Sequence, residues 1–386
     1  MMSWLLLTIG LILFIGLVVV HEFGHYLAAR RNGVVVEEFG IGFPPKAWAK
    51  KLKNGVLFTI NWLPLGGFVR LKGEHDADTS RGSYGAASLS AKVKIMLAGV
   101  GMNLLTAFVL LTFLGFVGLP TIVAGQYTFG NRDVKVVREV EHKGEVSVLE
   151  VSSDMPAAKS DVRKGDILVS LQGQPINQPD KVREIAGQYA GKNVELQIRR
   201  DGQIINKNVQ LSDNRDQKGY LGLVPASNES GLEIRRFTWS SPIVAIGFMR
   251  QITIATLKGL GSAVRGLGSI IAGISTGNTK ARQAGQTSAT RQVSGPLGIF
   301  LILKDGTRYG MAFILTIIAI ISLTLAIMNV LPIPALDGGR LFVTLFYRLI
   351  RRPLTKKAED RIHGTGFAVL MLLIIVISVV DVRRYF

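Results

Sequence analysis

Residues 4–25, WLLLTIGLILFIGLVVVHEFGH, place two imidazoles and a carboxylate at the end of a run suited to lipid. About 20 apolar residues of helix cross a bilayer core of roughly 30 Å, so the run predicts a transmembrane helix. Ionisable groups beside hydrocarbon have no inexpensive solvated state and point to function. On a helix, H-E-x-x-H sets His21 and His25 one turn apart on one face, where both can ligate one zinc ion, with Glu22 beside them as general base. The same pattern occurs on structural helices whose histidines are merely packed or solvated, and the lipid setting argues against that.

The whole composition agrees with a membrane chain: 386 residues, 48% hydrophobic, with mean hydropathy +0.33. There is no cysteine, which excludes disulfides, thiolate metal ligands and a cysteine nucleophile and leaves His, Asp and Glu to hold a metal. The net charge of +18 lies largely in loops beside apolar runs, which suits anionic lipid headgroups. No nucleic-acid-binding motif accompanies it, so nucleic acid is not an expected partner.

Four segments have the length and apolarity to span: residues 4–29, 95–119, 311–331 and 366–380. The first runs into HEFGH with no preceding Lys or Arg and no small-residue cleavage site, so it is expected to be retained. Residues 30–94 carry eleven Lys and Arg and residues 1–20 none, which sets this loop in the cytoplasm and the N-terminus outside. The basic stretch from Arg340 to Arg361 agrees, while Arg383 and Arg384 dissent. HEFGH then lies towards the cytoplasmic side, and residues 120–310 are extracytoplasmic. Residues 242–274 are apolar, but Arg250, Lys258 and Arg265 fall in one narrow sector of a helix. Such a helix lies on the membrane surface or packs against other helices. STGNTKARQAGQTSATRQ (275–292) reads as a polar linker.

Within the outer region, VSVLEV, DILVSL, VELQIRR and INKNVQL are strand-like runs separated by turn signals such as QGQP and RDGQ. SDMPAAKSDVRKGDILVSLQGQPI (153–176) and YLGL (220–223) resemble a bacterial, circularly permuted PDZ domain. That resemblance implies that a peptide adds as a strand and its C-terminal carboxylate rests on the backbone of Tyr220, Leu221, Gly222 and Leu223. Asp161 stands where such domains usually have Gly, tolerable because Asp can adopt the left-handed conformation. A spacer that binds no ligand is the competing reading.

A catalytic zinc takes three protein ligands and keeps one open position. His75, His142 and His363 lie in settings that do not suggest a ligand. The better candidate is in NVLPIPALDGG (329–339): the helix must break at Pro332 and Pro334, Gly338 and Gly339 permit close backbone approach, and Asp337 ends at the same membrane depth as His21 and His25. Alternatively, Asp337 caps a following helix.

HEFGH, LAGVGMNLL (97–105), the PDZ-like insert, SGPLGI (294–299) and NVLPIPALDGG occur in an order that covers nearly the whole chain. Together they resemble the site-2 protease family of intramembrane zinc metalloproteases, of the bacterial RseP type, with a single PDZ domain. The resemblance implies that His21, His25 and Asp337 bind Zn2+, that Glu22 activates water, and that Asn329 contacts substrate backbone near the scissile bond. The second-span marker is usually G-P-x-x-N, and here GVGMN (99–103) keeps Asn103 but weakens a role for Gly99. Asn329 or Asn103 is the candidate donor to substrate or oxyanion, with interhelical hydrogen bonding as the competing role for both. VLFTINWLPLGGFVRL (56–71) alternates and is rich in β-formers. By resemblance it is a membrane-associated β-hairpin whose edge pairs with an unwound substrate, which makes Phe58, Ile60 and Trp62 candidate substrate contacts. Bracing of the bundle is its alternative role.

The expected architecture is therefore a polytopic α-helical membrane protein of about four transmembrane helices, with a membrane-associated β-hairpin and an inserted extracytoplasmic α/β PDZ-like domain. Its parts are a first span with HEFGH (1–30), a β-rich loop (31–91), a second span (92–121), the PDZ-like domain (122–228), an amphipathic helical region and linker (229–309), a third span (310–336), a cytoplasmic LDGG loop (337–362), and a fourth span and tail (363–386). The expected activity is an intramembrane zinc endopeptidase of the bacterial inner membrane acting on single-span membrane proteins already trimmed on the outer side. Anti-sigma-factor-like proteins and remnant signal peptides are the substrates that resemblance suggests. Two alternatives stand beside it: a membrane-anchored zinc protease with a soluble active domain, its third ligand His75 or a nearby carboxylate, and a PDZ-bearing scaffold without catalysis.

Overall fold

The computed structural model describes residues 2–123, 125–130, 133–138, 142–152, 154–200, 202–213, 219–229, 233–276 and 296–385. The chain forms two compact units, Met1–Lys135 with Arg235–Phe386, and Val136–Ile234. The expected linker at 275–292 falls almost wholly outside the described residues.

In the first unit, HEFGH continues the opening helix α1 (Met2–Arg31) without a break, about 45 Å of helix at 1.5 Å per residue. Two long strands follow, β1 (Val36–Lys51) and β2 (Leu57–Leu71). Helix α2 (Leu89–Val117) starts where Ser88 accepts the Ala91 N–H at 3.3 Å, and it ends at Gly118, whose φ of 148° takes the chain out of the helix. Beyond the insert come α3 (Ser241–Thr276), α4 (Pro296–Gly306), α5 (Met311–Val330), α6 (Asp337–Leu349) and α7 (Lys356–Tyr385).

Among the described residues, four helical stretches are long and apolar enough to cross a membrane: Ser3–Arg31, Leu89–Val117, Ser241–Gly266 and Met311–Val330. The third departs from the expectation that the basic stripe keeps this helix from being span-like. Arg250, Lys258 and Arg265 are indeed exposed. Val244, Ala245 and Phe248 are buried against Ala107, Leu111 and Leu114 of α2 and Ala319 and Leu323 of α5. The helix thus takes the second placement its stripe allowed, packing on other helices. The expected fourth span, 366–380, lies inside the continuous helix α7.

The expected hairpin is more elaborate. β1 and β2 pair antiparallel except where 38–41 runs parallel to 57–60, and each is bent midway, β1 around Phe43–Pro45 and β2 around 63–66. The half at 36–41 pairs with 67–71 and also with 57–60, while 46–51 pairs with 57–61. The result is four strand segments in the order 67–71, 36–41, 57–61, 46–51. Gly42 and Gly66, with φ of 78° and 90°, make the turns that an L side chain resists. The expected LDGG loop is also corrected: most of 337–362 is helical, because LFVTLFYRL after the glycine pair presents an apolar face once per turn.

In the second unit, five strands lie in the order Leu223–Glu229, His142–Val151, Ile167–Leu171, Asn193–Arg200, Gln203–Gln210, and all four runs read as strands in the sequence belong to this sheet. Helices Pro156–Lys159 and Pro179–Gln188 accompany it. Val146, Leu168, Leu171, Leu196 and Ile198 form the centre of its core. Asp161 has φ of 56°, the left-handed conformation expected of it.

Candidate metal centre

His21 and His25 are each 7% exposed, and their Nε2 atoms lie 3.2 Å apart. Oδ2 of Asp337 is 3.0 Å from Nε2 of His21 and 3.2 Å from Nε2 of His25. One ligand atom from each residue thus falls within 4.8 Å of the others. Oδ2 of Asp337 is buried and has no hydrogen-bond partner. Three lone-pair atoms facing one point repel one another unless a cation lies between them. Two imidazoles and one carboxylate are a donor set suited to zinc with an open fourth position.

Asp337 reaches the histidines because α5 stops early. Pro332 drives the preceding Leu331 into an extended conformation (φ −64°, ψ 147°). The turn continues through Ala335 at φ 82°, and α6 begins at Asp337 with Leu336, not Asp337, in the capping position. The carboxylate faces the histidines, against the capping role considered from sequence. A Cβ on Gly338 would lie 2.2 Å from the Val330 carbonyl oxygen, and one on Gly339 would lie 2.0 Å from that of Ile333. Only glycine fits either place.

Helix α2 orients the imidazoles. Nδ1 of His25 donates to the Ile95 carbonyl at 2.7 Å, which leaves Nε2 with its lone pair turned to the metal position. Nδ1 of His21 lies 3.3 Å from the Asn103 side-chain amide, whose Oδ1 is otherwise buried without a partner. With the amide turned, Oδ1 accepts from Nδ1–H and His21 takes the same tautomer. Ser322 of α5 donates to the Asn103 carbonyl at 2.9 Å, so Asn103 also joins helices, the second role foreseen for it. Gly99 is the main correction to the reading of α2. A Cβ there would sit 2.5 Å from Nε2 of His25 and 2.7 Å from Nε2 of His21, so Gly99 is what lets α2 approach the ligands. Ile95, Gly99 and Asn103 follow at i, i+4, i+8 on one face. That spacing was readable, but a glycine and a backbone carbonyl offer no chemical signature to look for.

A cavity of about 250 Å³ opens onto His21, Glu22, Asn103, Asn329 and Asp337, with Val18, Leu325 and Leu336 as apolar walls. Glu22 and Asn329 thus share one chamber with the ligands. The 67–71 edge of the sheet runs beside it, and a Cβ on Gly67 would be 3.5 Å from Cγ of Glu22 and 4.0 Å from Val18. This relocates the open edge. Phe58 pairs with Phe39 and Lys50, and Ile60 with Ile41 and Trp48, so their backbones are engaged on both sides. The Phe58 ring also stacks on Phe39. Trp62 is 69% exposed near the bend. Strand addition at Phe58 and Ile60 is therefore excluded by sheet order; the edges are 46–51 and 67–71, and 67–71 is the one beside Glu22.

Of the other candidates, His75 pairs with Asp360 at 2.8 Å, and Nδ1 of His363 accepts from the Ala335 N–H at 3.4 Å. The side chain of His142 lies outside the described residues. In the second unit, Leu221 and Leu223 are buried in the core, Tyr220 packs against it, and Gly222 (φ 72°) lies against Met155. The YLGL side chains serve packing, which leaves the backbone as the part able to meet a peptide.

Residues 9–373 match peptidase family M50. A protein of Clostridium perfringens named as a zinc metalloprotease is 28% identical over 373 residues, covering 97% of each chain. Zinc metalloprotease RasP of Geobacillus kaustophilus is 24% identical over 456 aligned positions, again covering 97% of each. The solved PDZ domain of an SdrC-like protein from Listeria innocua aligns with 22% of this chain and 93% of its own length, at 24% identity and a TM-score of 0.19. With its long apolar helices, a His21–His25–Asp337 cluster able to hold a metal and a match spanning nearly its full length, the chain belongs to peptidase family M50, the site-2 protease family, and is a zinc metalloprotease.

Proposed function

We propose that His21, His25 and Asp337 hold the zinc, that Glu22 is the general base, and that the enzyme hydrolyses peptide bonds in the transmembrane segments of single-span membrane proteins. The observation that carries this is the convergence of Asp337 on the two histidines inside a cavity that also holds Glu22. Zinc bound there supplies Lewis acidity and makes water a stronger acid. Glu22 takes a proton from the attacking water and delivers it to the leaving amine. Asn329, on the cavity wall, is the candidate donor to the substrate carbonyl, and Asn103 is committed to His21. A peptide bond within a helix is shielded by its own hydrogen bonds, so the substrate must unwind. Its extended backbone adds to the open edge at 67–71, next to Glu22. Irregular backbone at this depth is tolerated because protein and a hydrated cavity satisfy it.

The charge bias of the loops supports an inner-membrane orientation with the metal centre near the cytoplasmic side and the PDZ-like unit outside. In that orientation the PDZ-like unit acts as a docking site for a trimmed C-terminus or as a filter against bulky outer domains. Proteins of the anti-sigma-factor kind and remnant signal peptides fit this substrate class. The alternative with a soluble active domain needs a third ligand such as His75, which is engaged with Asp360.

The test is to purify wild type and Glu22→Gln, measure zinc, and assay a transmembrane substrate. The variant is expected to keep its zinc and lose about 10²–10⁴-fold in kcat. Undiminished cleavage would remove Glu22 as the base, and zinc-free wild-type protein would remove the metal reading.

A further inference from the structure

Around the first turn of α6 lies a partly buried cluster of charges that neither ligates the metal nor lines the cavity. Arg340 stands three residues after Asp337, on the first turn of α6. It donates to the Glu74 carbonyl at 2.9 Å, approaches the carboxylates of Glu74 and Glu359 at 3.8 Å each, and lies 5.6 Å from the centre of the Tyr84 ring. Lys92, in the first turn of α2, lies 5.4 Å from the centre of the same ring and is paired with Asp76. Glu359, at the start of α7, accepts the Asp76 N–H at 2.9 Å. Lys92, Tyr84 and Glu359 are all 2% exposed or less.

Taking this many charges out of water costs about as much as their pairing returns, so such a cluster adds little net stability. What it does impose is geometry. Lys92 belongs to the helix whose Ile95, Gly99 and Asn103 orient the histidines, whereas Arg340 belongs to the helix that begins with Asp337. The loop at 72–87 and the start of α7 join the two. Residues i and i+3 share a helical turn, so fixing the Arg340 guanidinium fixes the rotation and height of the turn that presents the Asp337 carboxylate.

We infer that Arg340, held by Glu74, Glu359 and Tyr84, is a positioning residue for the third zinc ligand and sets how tightly the metal is kept. This rests on Asp337 being a ligand, and the experiment separates the two ideas. Full-length wild type, Arg340→Met, Arg340→Lys and Glu359→Gln are purified in detergent. Zinc content, the rate of zinc transfer to a chromogenic chelator, and helix content by circular dichroism are measured. Groups that orient metal ligands typically contribute 10–100-fold in affinity. Arg340→Met is expected to release zinc 10–100-fold faster with helix content unchanged, and added zinc should restore its cleavage activity. Arg340→Lys keeps the charge but loses the planar fork and should fall between. It carries the test if the Met variant does not fold. Wild-type zinc release in a folded Arg340 variant would overturn the inference, as would lost activity that added zinc does not restore. Wild type that binds no zinc would instead overturn the ligand assignment.

Discussion

The two halves of the metal centre are built by different physics. His21 and His25 sit on one uninterrupted helix, so their spacing follows from 3.6 residues per turn, and α2 needs only to orient the rings. Asp337 is delivered by a broken segment: a helix that stops, a turn with Ala335 at positive φ, and two glycines packed onto the carbonyls of Val330 and Ile333. The first half takes its spacing locally and has one distant requirement, the close approach of α2 at Gly99. The second depends on close tertiary contact, and it is where the site can most easily be disconnected from an otherwise intact fold.

The largest effects should therefore come from single methyl groups. Gly339→Ala puts a Cβ 2.0 Å from the Ile333 carbonyl oxygen, and Gly99→Ala puts one 2.5 Å from Nε2 of His25. In both cases backbone or ligand must move. Overpacking of this kind typically costs about 1–3 kcal/mol, and here the movement falls on the ligands. Both variants should lose most bound zinc and proteolytic activity while retaining helical circular dichroism. If Gly339→Ala keeps its zinc, the distant half is looser than its packing implies and the contrast between the halves fails.

A smaller effect separates the role of Asn103 in the near half. Oδ1 accepting from Nδ1–H of His21 makes it an orienting group. Asn103→Leu should weaken zinc binding about 10–100-fold, and Asn103→Asp, which preserves an acceptor, should weaken it less. Equal loss in both would assign the Asn103 side chain to packing between helices and not to an acceptor for His21.

How far the sequence could be read follows the same division. The histidine pair, the apolar runs and the strands of the second unit announce themselves through spacing and periodicity. Asp337 could be paired with His21 and His25 because the topology set both at one depth. Gly99 could not be weighed correctly, since its contribution is the absence of a side chain opposite residues more than 70 positions away. For helix α3 the basic stripe left two placements open, and Val244, Ala245 and Phe248, which face other helices, decide between them. The sheet was foreseen only as a hairpin. Its bends let 36–41 enter between two segments of β2, and no local pattern encodes that pairing. The resemblance therefore nominated Phe58 and Ile60 on a pairing edge, whereas they lie in the interior of the sheet.

The sheet offers the subtlest test, because a buried carboxylate ties its segments together. Glu38 is 1% exposed and touches all three other segments: it accepts from Thr59 at 3.0 Å, pairs with Lys46 at 3.0 Å, and meets Arg70 on the open edge. Burial alone would raise its pKa, but Lys46, Thr59 and Arg70 outweigh that and hold it below the ordinary value of 4.5. A carboxylate with a lowered folded pKa contributes stability that is present above its unfolded pKa and is lost as pH falls through the folded value. The protection factors of the amides at 57–71, which remove the intrinsic pH dependence of exchange, should therefore fall as the medium is acidified below about pH 4.5. Glu38→Gln should show faster exchange at neutral pH, by about 1–2 kcal/mol of opening free energy, because Lys46 and Arg70 are half exposed and their pairing is partly screened. Its exchange should also lack the acid-dependent component. With the edge at 67–71 less firmly placed beside Glu22, the variant should show a raised KM and a nearly unchanged kcat. A fall in kcat with KM unchanged would mean that the sheet acts on the catalytic groups themselves and not on the seating of the substrate strand.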